Sequence, residues 1–170
     1  MNARKASLKR CNYFMERNEL LVNILIKKGY TIAFAESCTG GLCAASLISV
    51  ANASSVLNES FVTYANEAKI KYLNVNATTI DKFGVVSEEV AKEMAEGVAK
   101  AANSNVGVGV SGIAGPTGGT KDKPVGMVCF GFTINGKTIT KAQYFGEIGR
   151  NNVRNKSVEF VFETLIELLK

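Results

Sequence analysis

The chain has 170 residues, 46% hydrophobic and 21% charged, with only two prolines; this describes one ordinary folded domain and excludes a low-complexity polymer. Its net charge of +5 is uneven, because Arg4, Lys5, Lys9, Arg10 and Arg17 against Glu16 put +4 into the first seventeen residues. The remainder is close to neutral, so a nucleic-acid partner is not expected. Apolar runs such as Ile32 to Ala35 and Val125 to Phe132 fall far short of the ~20 residues of a membrane span. Residues 1–18 read as a basic leader and 19–170 as a single domain. The leader lacks the apolar core and cleavage site of a secretory signal, which predicts a cytoplasmic protein with no membrane partner. Cys11, Cys38, Cys43 and Cys129 lack paired metal-type spacing and the chain has no histidine, so reduced thiols and no metal are expected.

In chain order, Leu20, Leu21, Ile24 and Leu25 recur at helical spacing and predict a helix from Glu19 to Lys28, stopped by Gly29. Tyr30 to Ala35 reads as a buried strand and Leu42 to Val50 as a small-residue helix. Phe61 to Tyr64 is a second strand, followed by a short helix from Asn66 to Leu73 that carries Lys69. Ser87 is a natural N-cap, with Glu88 and Glu89 in the first turn of a helix reaching about Ala102. Asn105 to Ser111 and Val125 to Ile134 read as strands around a glycine-rich loop, Gly112 to Lys123. Asn135-Gly136 predicts a hairpin that returns Lys137 to Phe145 antiparallel, and Asn151 to Lys170 closes as a helix. Interleaved helices and buried strands predict an α/β fold: a three-layer α/β/α sandwich whose sheet is mixed, mostly parallel, and ends in a β-hairpin.

Three runs carry candidate chemistry. Glu36-Ser37-Cys38-Thr39-Gly40-Gly41 joins a strand to a helix, where unpaired backbone N–H groups can hold an anion or a developing oxyanion. Ser37 is there either a helix cap or a nucleophile, and with no histidine a nucleophile needs another base. Tyr64-Ala65-Asn66-Glu67-Ala68-Lys69 sits at a second strand-to-helix junction, and such strand ends collect ligands in open α/β sheets. Lys69 is there either a solvated charge or the missing base. Ser111 to Thr120 is either an anion nest or a surface loop. It is not a Walker-type P-loop, because Lys121 follows Thr120 and the run leads through Pro124 into a strand.

These runs, together with Gly84-Val85-Val86-Ser87-Glu88-Glu89 and Lys123-Pro124-Val125-Gly126, resemble the CinA C-terminal domain family over about Glu19 to Leu169. The resemblance implies a nicotinamide-nucleotide amidase that hydrolyses the carboxamide of nicotinamide mononucleotide to nicotinate mononucleotide and ammonia, without metal or cofactor. It also implies a homodimer or larger assembly. The family's functional positions carry over to Ser37 as nucleophile, Lys69 as base, Tyr64 as its orienter or proton relay, and Arg150, with Arg154 as the competing arginine. Ser111 stands where many members have threonine. The expected substrate-binding set is Arg150, Glu36, Thr39, Gly40, Gly41, Ser111, Gly112 and Gly115. For the phosphate the candidates are the Gly112 to Thr120 loop, the Thr39 to Gly41 turn and Arg150. Burial and a nearby cation such as Arg150 would lower the lysine pKa into a working range. Cys38, at a helix start, is the rival nucleophile. A module that binds a pyridine nucleotide or other phosphorylated ligand without hydrolysing it is the alternative function.

Overall fold

The computed structural model describes residues 16–170. Residues 16–18, read above as the end of the leader, already belong to the first helix; the rest of the leader and Cys11 lie outside the described residues. The elements are α1 (16–28), β1 (Ile32–Glu36), α2 (Leu42–Ile48), a 3₁₀ turn at Ala53–Ser55, β2 (Phe61–Val62), α3 (Asn66–Leu73), α4 (Ala77–Phe83), α5 (Glu88–Ala101), β3 (Val106–Gly112), β4 (Met127–Ile134), β5 (Lys137–Tyr144) and α6 (Arg150–Leu169). The sheet order is β2-β1-β3-β4-β5; β1 pairs in parallel with β2 and β3, and β4 pairs antiparallel with β3 and β5. β4 alone therefore runs against the common direction, as the hairpin at Asn135-Gly136 requires. Both hairpin residues have positive φ, 48° and 79°, the condition for a two-residue turn that matches strand twist. Helix α4 is not among the expected elements, although Asn76 caps it by accepting from the Thr78 N–H at 3.0 Å.

Strand alternation divides the side chains of the sheet into two unlike faces. Ile32, Phe34, Val106, Val108, Val110, Val128, Phe130 and Phe132 form one core with α1, α2 and α6, in which the Phe34 and Phe162 rings stack 6.4 Å apart. The opposite face offers Ala33, Ala35, Gly107, Gly109, Cys129 and Gly131, and α5 lies flat against it. A Cβ at Gly107, Gly109 or Gly131 would stand 2.2, 2.3 or 2.2 Å from a carbonyl oxygen of α5. The small residues set how near α5 approaches, and the large ones fill the other side.

Connectivity fixes where a site can form. The chain leaves β1 towards β2 on one side and reaches β3 on the other, so the carboxyl ends of β1, β2 and β3 meet at a point where strand order reverses. Open α/β sheets place ligands there. Gly131→Ala is expected to lower stability by ~1–3 kcal/mol, because α5 has to lift from the sheet; urea unfolding of the variant beside the parent measures it.

Candidate active site

The pairing register brings the Ser37 turn and Lys69 together. Ala35 lies opposite Phe61 and Glu36 opposite Val62, and the ladder runs one step further, with the Thr63 N–H donating to the Glu36 carbonyl at 2.9 Å. On the other side the Ser37 N–H donates to the Val110 carbonyl at 3.0 Å. Ser37 is thus held between β2 and β3 at the end of the sheet. The chain turns after Tyr64 into α3, and Lys69 in its first turns folds back under the junction with no exposed surface.

The Lys69 Nζ donates to the Thr63 carbonyl at 2.8 Å and the Tyr64 carbonyl at 3.2 Å, and stands 3.3 Å from Ser37 Oγ. A neutral amine has two protons and one lone pair. Two carbonyls take the two protons and leave the lone pair for the serine hydroxyl, which is the arrangement of a general base. Burial lowers the Lys69 pKa from its usual value. The Glu67 carboxylate acts in the opposite sense, but burial prevails. Arg150 is not among these causes: its guanidinium points elsewhere, so desolvation and not a neighbouring cation depresses the lysine.

The turn after Ser37 is held by charge on both sides. Glu36, the last residue of β1, faces α2, and its buried carboxylate accepts from the N–H groups of Gly41 at 2.9 Å, Cys43 at 3.0 Å and Ala44 at 2.9 Å. Gly40 and Gly41 take φ of 60° and 94°, a left-handed bend that glycine adopts without penalty, and this brings the amides round to the carboxylate. Arg154 of α6 donates through Nε to the Cys38 carbonyl at 3.1 Å and through Nη2 to the Thr39 carbonyl at 2.9 Å. Arg150, one turn earlier, donates to the Gly115 carbonyl at 3.1 Å and the Tyr64 hydroxyl at 3.2 Å. Among the described residues no cluster of Cys, Asp and Glu is arranged to hold a metal ion, and no helix is long and apolar enough to cross a membrane.

Residues 15–169 match the model of the CinA C-terminal domain. The chain belongs to the CinA family. It is 50% identical over 145 residues to a CinA-like protein of Kosmotoga olearia, an alignment covering 85% of this chain and 35% of that protein. The chain spans about a third of the length of the curated relatives it matches. Among solved structures, the competence/damage inducible protein CihA from Agrobacterium tumefaciens superposes with a TM-score of 0.88 at 38% identity, covering 92% of this chain and 96% of that one. A CinA superfamily protein from Klebsiella pneumoniae 700603 gives a TM-score of 0.88 at 33% identity over 92% and 97% of the two chains. The CinA family accordingly accounts for the doubly covered mixed sheet.

Within this CinA domain the expected site residues divide. Ser37, Lys69, Tyr64 and Arg150 converge, but Tyr64 acts on Lys69 through its carbonyl, while its exposed side chain holds Arg150 by the hydroxyl. Glu36 is engaged as the cap of α2, and the helix N-terminus expected to receive an anion already holds this carboxylate. Of the turn amides, that of Gly40 donates to the Ser37 carbonyl at 3.1 Å, and those of Cys38 and Thr39 face the Cys38 sulfur. Gly41 serves the Glu36 cap. Ser111 is buried and donates to the Val85 carbonyl at 2.7 Å, which ties the end of β3 to the loop before α5. Gly112 abuts the Val128 side chain, and Gly115 abuts Val125 and offers its carbonyl to Arg150. Thr39 is fully buried, its hydroxyl beside the Cys43 thiol with no nitrogen or oxygen partner among the described residues. Cys38 is buried and its pKa is raised to about 12, by burial above all, with Glu36 adding to it. A thiol in that state is protonated at neutral pH and is a poor rival to Ser37. Sequence reasoning missed the Thr63 carbonyl, because a main-chain oxygen leaves no trace in residue identity. Glu36→Ala strips the acceptor from three amides and is expected to cost ~3 kcal/mol or more, read as a lowered urea midpoint together with loss of α2 amide protection in hydrogen exchange.

Proposed function

We propose that this chain hydrolyses the carboxamide of nicotinamide mononucleotide to nicotinate mononucleotide and ammonia by serine–lysine acyl transfer. The observation that carries the reading is the buried Lys69 amine, bound to two carbonyls and aimed at Ser37 Oγ 3.3 Å away. The choice of substrate rests on resemblance to family members with that activity. Ser37 Oγ attacks the amide carbon and its proton passes to Lys69 Nζ. The amine returns that proton to the departing nitrogen, which leaves as ammonia, and the acyl group stays on Ser37. Water then attacks the ester, giving its proton to the neutral lysine; the C–Oγ bond breaks, Lys69 returns that proton to Ser37 Oγ, and nicotinate mononucleotide departs. With the α2 N-terminus filled by Glu36, the substrate phosphate falls to Arg150 and the Gly112 to Thr120 loop.

Ammonia release from purified protein given nicotinamide mononucleotide, with nicotinamide and nicotinamide riboside as comparators, tests the reading. Turnover is expected with the mononucleotide, lowered by about 10⁴-fold in Ser37→Ala and in Lys69→Met and retained in Cys38→Ala. No release from neutral to alkaline pH returns the chain to the role of a phosphorylated-ligand module. The base works only when neutral, so kcat/KM rises with pH as Lys69 loses its proton. Because its pKa is lowered, the midpoint lies below 10.5, the ordinary lysine value; a rate that fell over that range would remove lysine as the base.

A further inference from the structure

Arg154 has no part in the acyl-transfer steps above, yet its guanidinium is committed to the backbone of the nucleophile turn. It meets the carbonyls of two successive residues, Cys38 and Thr39, and its third contact, to Asn151 Oδ1 at 3.3 Å, lies within α6. A peptide unit is planar, with its carbonyl and its N–H pointing opposite ways. Holding the Cys38 carbonyl therefore fixes the direction of the Thr39 N–H. Holding the Thr39 carbonyl likewise fixes the Gly40 N–H, which closes the turn on the Ser37 carbonyl at 3.1 Å. Two glycines at positive φ follow directly, so little in the local chain resists rotation of these peptide planes. Glu36 restrains the turn from Gly41 onward, and Arg154 restrains the part nearest Ser37. Gly40 is compatible with this contact, since the nearest atom to a Cβ built there is Arg154 Nη2 at 3.5 Å.

We propose that Arg154 is a positioning residue, which locks the peptide planes on either side of Thr39 so that the backbone next to Ser37 is held and Ser37 Oγ stays on Lys69. The assignment rests on the serine–lysine reading of the site but not on the identity of its substrate. It separates the two arginines of α6, giving Arg150 to the ligand side and Arg154 to the turn.

The test uses phenylmethanesulfonyl fluoride, in which the Ser37 oxygen bonds to sulfur, fluoride leaves and the hydroxyl proton goes to Lys69. The rate of Ser37 modification, followed by intact mass and peptide mapping, reads the turn without any nucleotide. Arg154→Ala is expected to slow modification by about 100-fold, the scale of a reacting group displaced by ~1 Å. Added guanidinium ion should restore most of the rate in Arg154→Ala while leaving the wild-type rate and the melting temperature of the variant unchanged. Arg154→Lys keeps the charge but not the fork that spans two carbonyls, and is expected to fall between. With nicotinamide mononucleotide the Arg154 variants should lose kcat at nearly constant KM, and Arg150→Ala should raise KM. Unchanged modification in Arg154→Ala, or a loss that follows the unfolded fraction and ignores guanidinium, overturns the assignment. If Arg154→Ala does not fold, wild-type rates in Arg154→Lys overturn it equally. Ser37 modified at the expected rates without ammonia release refutes the substrate and leaves Arg154 as assigned; no modification of wild-type Ser37 removes both.

Discussion

A lysine amine sealed at the end of a parallel sheet is the constraint around which the remainder of this molecule is arranged. Removing an ammonium group from water is costly, and the cost falls when the group sheds its proton and its remaining N–H bonds find acceptors. The Thr63 and Tyr64 carbonyls supply those acceptors because β2 stops after two paired residues and frees the oxygens beyond it. Had β2 continued, as the apolar run from Phe61 to Tyr64 suggested, those residues would have remained part of a regular strand. A short strand is therefore a requirement of the site and not a flaw in the sheet.

The same economy governs the turn. A strand-to-helix junction ordinarily offers its free amides to a ligand, but here the last residue of the strand spends them internally. Glu36 gains a secure place for a buried carboxylate, α2 gains a cap, and Ser37 between them gains a fixed backbone. The domain gives up one generic anion site in exchange for a fixed backbone at Ser37.

Much of this was legible in the sequence because it depended on local pattern. Hydrophobic periodicity, the Asn135-Gly136 hairpin and the Ser87 cap located most elements to within a few residues, and the strand-to-helix runs located Ser37 and Lys69. What escaped depended on where a side chain points and on which main-chain atoms are left free. Glu36 and Ser111 carry polar side chains beside a candidate site, and only the fold shows that one faces α2 and the other reaches Val85. Tyr64 lies beside Lys69 and Arg150, but no property of tyrosine distinguishes a contact made by its carbonyl from one made by its hydroxyl. Helix α4 went unread because Asn76, its cap, stands among residues with little apolar periodicity.

Arg150 and Arg154 are separated by four residues of one helix, so they project from the same side about 6 Å apart along its axis. One helix thus registers the loop after β3, the Tyr64 hydroxyl and the turn after Ser37 against one another. A change of length between β5 and α6 can be absorbed by the connecting residues, since both arginines would move as a pair. A single residue added between them would turn one by about 100° relative to the other and break the correspondence. Natural variation in chain length should therefore be tolerated before Arg150 and absent from the four positions that follow.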